Sequence, residues 1–139
     1  MKTGIVCVTT LLTVVMLHAA GEGEGGSGKP SPHEAVIKDM LETLGQINMV
    51  LTNIKDEPSA DAARPELKKA ALRMQDLRKR AKEMKQPNKQ EKDALERRYK
   101  DKFDDALKKL RSESFRVKGI AGGAEAVKEI AVVDEKKKK

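Results

Sequence analysis

The apolar positions of this chain recur in alternating steps of three and four along three stretches, and the first is the most regular. Across residues 31–55, Ile37, Met40, Leu44, Ile47, Leu51 and Ile54 keep to one side of a helical turn. Val36, Leu41 and Val50 widen that stripe into a core-facing face. The start is marked too: Ser31 can accept from orphan backbone donors, Pro32 suits the first helical position, and Glu34 can complete a capping box. A helix is predicted over 32–55.

In the second stretch Leu67, Ala70, Met74, Leu77, Ala81 and Met84 repeat the alternation with smaller side chains, which predicts a helix over 65–86 that ends before Pro87. Pro58 and Pro65 frame a turn ahead of it, with Asp61 or Ser59 as its cap. Small residues facing Ile and Leu let two helices approach closely, so the first two helices should form an antiparallel hairpin. In the third stretch Asn88 is the N-cap, Glu91 holds the capping-box position, and Leu95, Tyr99, Phe103, Ala106, Leu107 and Leu110 form a narrower stripe. That predicts a helix over 89–116. Its outer faces offer acid–base pairs four residues apart, Asp93 with Arg97, Glu96 with Lys100, Asp104 with Lys108 and Asp105 with Lys109. Gly119, Gly122 and Gly123 break the pattern, leaving 117–139 as an extension that is either loosely docked or carries a short helix through Val127, Ile130 and Ala131. Lys136 to Lys139 close it as a basic tail. The expected fold class is all-α: an antiparallel three-helix bundle, or a helical hairpin plus a third helix, with coiled-coil-like packing.

The N-terminus reads as an export signal. Lys2 supplies positive charge, residues 5–17 are an apolar run, and Ala19 and Ala20 offer cleavage points, so a signal peptide is expected over 1–20. The run would span only about 20 Å as a helix, short of the roughly 30 Å of a bilayer core. Residues 21–30, GEGEGGSGKP, form a Gly-rich leader. Cys7 lies inside the apolar run, so a processed chain would carry no thiol, disulfide or thiolate metal site. The expected location is periplasmic or secreted.

Charge and composition narrow the chemistry. The chain has 139 residues, a net charge of +7 and three aromatic side chains, Tyr99, Phe103 and Phe115. A core so thin in aromatics would be thickened by self-association through Ile37, Met40, Leu44, Ile47, Leu51, Ile54, Leu67, Met74 and Leu77. Basic residues concentrate on the second and third helices. Lys68, Lys69, Arg73, Arg78, Lys79, Arg80, Lys82, Lys85, Arg97 and Arg98 are candidate contacts for an anionic polymer or lipid surface. Nucleic acid is a poorer partner, because stacking aromatics are scarce and export removes the chain from it. No cofactor or metal is expected: past the signal the only histidine is His33, and Met40 lies about 10 Å further along the same helix, too far to complete one haem. Asp104 with Asp105, and Asp56 with Glu57, are neighbours in sequence and do not oppose each other as acid and base. Ser112 and Ser114 have no histidine in their own helix, so catalysis is not expected.

From His33 to Arg116 the chain, a helical hairpin followed by a Pro-Asn-capped charged helix, is similar to small exported bacterial helical proteins of unknown function. Its first half also resembles a b-type cytochrome bundle in placing Met40 on the first helix and proline in the following turn, but the haem ligands are absent. Small, basic, exported and helical, it is similar to periplasmic helical stress chaperones as well, although Leu51-Thr52 is followed by Asn53-Ile54-Lys55 where their signature would carry a glutamine. The resemblance implies a periplasmic or secreted location, and the thin core and missing ligand sets point to an exported, non-enzymatic interaction or structural module that self-associates. A binder of anionic surfaces and a chaperone-like protein are the alternatives.

Overall fold

A computed structural model of the chain describes residues 29–131. The expected signal peptide, the leader before Lys29, and Val132 to the lysine tail lie outside the described residues. The described part is all-helical and contains no strand: α1 is Pro32–Asn53, α2 Glu57–Glu83, α3 Lys89–Lys118 and α4 Gly123–Ala131. None of these helices is long and apolar enough to cross a membrane.

Side-chain partners fix the directions. Glu34 meets Arg98, Asn48 meets Ala106 and Leu51 meets Arg116, so α1 and α3 run the same way. Glu42 pairs with Arg73, and His33 reaches Lys85, so α2 runs against α1. The helix α4 follows the start of α2 in the same direction, with Gly122 beside Ala60 and Glu129 paired to Arg64. Packing contacts join α1 to α2 and α3, and α4 to the same two helices, which sets α1 and α4 on opposite sides of the α2–α3 pair. Flanked on two sides, α1 has every residue from His33 to Thr52 at least partly buried, Lys38 and Asp39 included.

The second helix begins eight residues earlier than its apolar pattern suggests. The segment expected to be a turn is helical from Glu57, and Pro58 and Pro65 both lie within α2. Asp56 is the N-cap, its side chain accepting from the Ser59 amide while Ser59 Oγ accepts from the Asp56 amide, a complete capping box. Pro58 falls in the first turn, where a missing N–H costs nothing. Pro65 does remove one helical bond. It is tolerated because Ala60, Ala63 and Leu67 around it are buried in a core shared with Leu51, Ile54, Val117, Ala126, Val127 and Ile130. Of the extension beyond residue 116, the described part is helical: α3 continues to Lys118 and α4, Gly123–Ala131, packs as a fourth helix.

Two glycines make the α3–α4 corner. Gly122 adopts a φ of 73°, in the left-handed region. At Gly123 a Cβ would sit 1.9 Å from the Val117 carbonyl oxygen, so only glycine lets α4 fold back this tightly. At the same end the Arg116 guanidinium donates to the carbonyls of Leu51 (2.7 Å) and Ile54 (2.9 Å), satisfying acceptors at the C-terminus of α1.

Candidate functional site

At the opposite end of the bundle, where α1 and α3 begin and α2 finishes, the three helices diverge around an open apolar cleft of about 430 Å³. From α1 come His33, Val36, Ile37 and Met40, and from the end of α2 come Ala81 and Met84, followed by Pro87. The third wall is Leu95, Tyr99 and Phe103 of α3, with the exposed Lys92, Glu96 and Lys100 along its edge. These residues continue the stripes that form the closed core, but no described residue of α4 lines the cleft. Ile37, Met40, Met84 and Phe103 are therefore only half-buried, whereas Leu51 and Leu67 are fully enclosed.

Two polar clusters hold the walls of the cleft together. In the first, Glu34 of α1 accepts from the Tyr99 hydroxyl (2.6 Å) and from Arg98 (2.8 Å), both on α3. The Tyr99 hydrogen bond, with Arg98 and Lys38, holds the Glu34 carboxyl below the usual carboxylate range. Burial, reinforced by the Glu34 carboxylate, pushes the Tyr99 phenol up to about 12. Lys102 lies 5.5 Å from the Tyr99 ring centroid, within cation–π range. In the second cluster His33 Nε2 lies 2.7 Å from the Lys85 carbonyl oxygen and Nδ1 lies 3.2 Å from Glu91, so one imidazole bridges the end of α2 and the start of α3. The Ser31 hydroxyl and then His33 hold Glu91 below its ordinary value.

Both carboxylates come from anticipated capping boxes, and both boxes form only by half. Ser31 Oγ accepts from the Glu34 amide and Asn88 Oδ1 from the Glu91 amide, as N-caps do. The return bonds to the cap amides are not made: the Glu34 carboxylate meets Tyr99 and Arg98 of α3, and the Glu91 carboxylate meets His33 of α1. Local sequence signals the cap, but the tertiary partner is visible only once α1 and α3 lie side by side.

The candidate self-association stripe is largely internal. Leu44, Ile47, Leu51, Ile54, Leu67, Met74 and Leu77 are buried within the chain, so they cannot form a surface between copies of the folded protein. Ile37 and Met40 alone of that set line the cleft. The large apolar side chains most exposed to solvent are instead Phe115 and Leu72, on α3 and α2.

The ten candidate anion contacts are not gathered on one face. Arg73 is paired with Glu42, Lys79 with Glu83, Arg80 with Asp76 and Arg98 with Glu34, while Arg97 Nε donates to the Asp93 carbonyl. Lys68, Lys69 and Arg78 are exposed along α2, and Lys82 and Lys85 are exposed at and just past its end. None of the four acid–base pairs expected on the outer faces of α3 closes to ion-pair distance among the described residues, consistent with the small value of such pairs in water. Among the described residues no group of three or more His, Cys, Asp or Glu side chains is placed to hold a metal ion.

Asn48 is a buried polar residue that the apolar pattern of α1 does not reveal. It is 4% exposed; its Nδ2 donates to the Ala106 carbonyl (3.0 Å), and its buried Oδ1 has no partner. It ties the middle of α1 to α3 between the closed end and the cleft. No protein-family model, curated protein or solved structure matches the chain.

Proposed function

We propose that this chain is an exported, non-enzymatic interaction module that receives an apolar surface in the cleft between α1, the end of α2 and the start of α3. The supporting observation is that cleft: an apolar floor left uncovered on a bundle whose other end is closed by a helix. Leaving Val36, Ile37, Met40, Met84 and Phe103 part-exposed forgoes burial worth on the order of 1 kcal/mol or more per side chain, a cost that a bound apolar surface would recover. The polar groups beside the floor are engaged with each other, His33 with Glu91 and Lys85, Tyr99 with Glu34, so they hold its walls. This reading makes the bundle a scaffold and the cleft its contact surface.

A neutral environment-sensitive dye tests it. Saturable binding with one site per chain is expected, weakened several-fold in Met40→Gln, which keeps side-chain volume and makes the floor polar. The absence of saturable binding to the folded chain would overturn the reading. The alternative, contact with anionic surfaces through dispersed lysines and arginines, predicts salt-sensitive binding to anionic vesicles that Met40→Gln leaves unchanged.

A further inference from the structure

Resting on the reading of the cleft as a docking surface, we infer that its occupant is an acidic amphipathic helix of a partner protein, seated on the flank of the bundle that α4 fills at the closed end. The fold supplies the precedent. There α4 lies between α2 and α3, buries Ala126, Val127 and Ile130 in the core, and sets Glu129 against Arg64 of α2 at 3.3 Å. Eighteen residues along α2, about five helical turns, the same azimuth carries Lys82, in the last turn of that helix. Lys92 and Lys100 of α3 line the edge of the apolar floor, and Ala81, next to Lys82, lines it from α2.

Lys82, Lys92 and Lys100 make no ion pair among the described residues, and Glu96 is the one carboxylate among the residues that line the cleft, Glu83 and Glu91 nearby being paired with Lys79 and His33. The site therefore repeats the chemistry that receives α4, apolar between two helices and basic at the margin. The wall from Lys92 to Phe103 is about 16 Å long, room for roughly three helical turns. A matching helix carries apolar residues three and four apart, flanked by Asp or Glu, the helix-in-groove mode of recognition. A second copy of the chain is a poor occupant: its net charge is +7, the acidic face of its α1 is engaged with α2 and α3, and its α4 is already docked.

The test uses two synthetic helical peptides of about three to four turns with the same apolar stripe, one flanked by Glu and one by Lys, titrated into the full chain by fluorescence anisotropy. The acidic peptide is expected to bind at least tenfold more tightly, the preference shrinking as salt rises. Reversing exposed charges in Lys92→Glu/Lys100→Glu should abolish or invert it, and circular dichroism of that variant would show whether the fold is kept. Met40→Gln should weaken the acidic peptide without changing the charge preference. Equal affinity for both peptides overturns the inference, as does displacement of the acidic peptide by a long-chain alkyl carboxylate at equal concentration, or loss of its binding as the chain dimerises. If the neutral dye binds but neither peptide does, the inference fails and the docking surface stands. If dye and peptides all fail, both fall.

Discussion

The two ends of this bundle are built from the same three helices and differ in what covers the gap between α2 and α3. At the closed end α4 completes the packing: Leu51, Ala60, Leu67, Val117 and Ala126 are fully enclosed, and Arg116 satisfies carbonyls at the end of α1. At the open end, apolar stripes of the same periodicity run on without a fourth helix among the described residues, and polar clusters around His33 and Glu34 hold the walls. The difference shows how a continuous apolar stripe can be structural at one end and available for contact at the other. Among the described residues, what divides the two roles is that α4 packs against one end only.

The largest expected effect is on core truncation. Leu67→Ala at the closed end should lower stability by about 2–5 kcal/mol in urea unfolding, whereas Met84→Ala on the cleft wall should cost under about 1 kcal/mol. Equal losses would mean that the ends are packed alike. Gly123→Ala comes next: a Cβ 1.9 Å from the Val117 carbonyl oxygen forces α4 off its seat, with an expected loss of about 2–3 kcal/mol and faster amide exchange in Ala60 to Leu67. The closed end would then come to resemble the open one.

Tyr99→Phe should cost about 1–2 kcal/mol and loosen the cleft walls while the α4 end keeps its amide protection. The pH dependence has a definite sign. The Glu34 carboxyl is lowered from 4.5 when folded, so its stabilisation is present above that value and is lost as pH falls through the lowered one. Tyr99 is raised from 10.0 to about 12, so its contribution is complete below pH 10 and is lost as pH climbs towards 12. Tyr99→Phe should remove the alkaline loss and shift the acid loss of the open end to higher pH, readable from pH-dependent melts. The smallest expected effect is Asn48→Leu, which replaces an amide with one buried, unpartnered oxygen. Stability should change by less than about 1 kcal/mol or rise, with the coupling between the two ends altered more than their sum.

Much of this architecture is legible in the chain. The stripes from Ile37 to Ile54, from Leu67 to Met84 and from Leu95 to Leu110 mark three helices, and Ser31 and Asn88 mark the starts of α1 and α3, whereas α2 ends at Glu83, three residues before the end expected ahead of Pro87. Proline misled at the start of α2, because a local rule weighs the lost hydrogen bond of Pro65 but not the burial of Ala60, Ala63 and Leu67 beside α4. The cleft was only partly legible. Its floor was present as apolar positions, but a stripe does not state its own coverage, so Leu51 and Met40 look equivalent until the reach of α4 is known.

Periodicity and capping residues therefore determined by themselves that the chain forms amphipathic helices, where most of them begin and end, and which side of each is apolar, because backbone geometry and cap chemistry act over a few neighbouring residues. Tertiary structure alone decided that Glu34 and Glu91 leave their caps for Tyr99, Arg98 and His33, that Gly123 turns α4 back onto α2, and that one end of the core stays open. Those outcomes depend on groups more than fifty residues apart in the chain or, at Gly123, on the close approach of Val117, and no local pattern carries either.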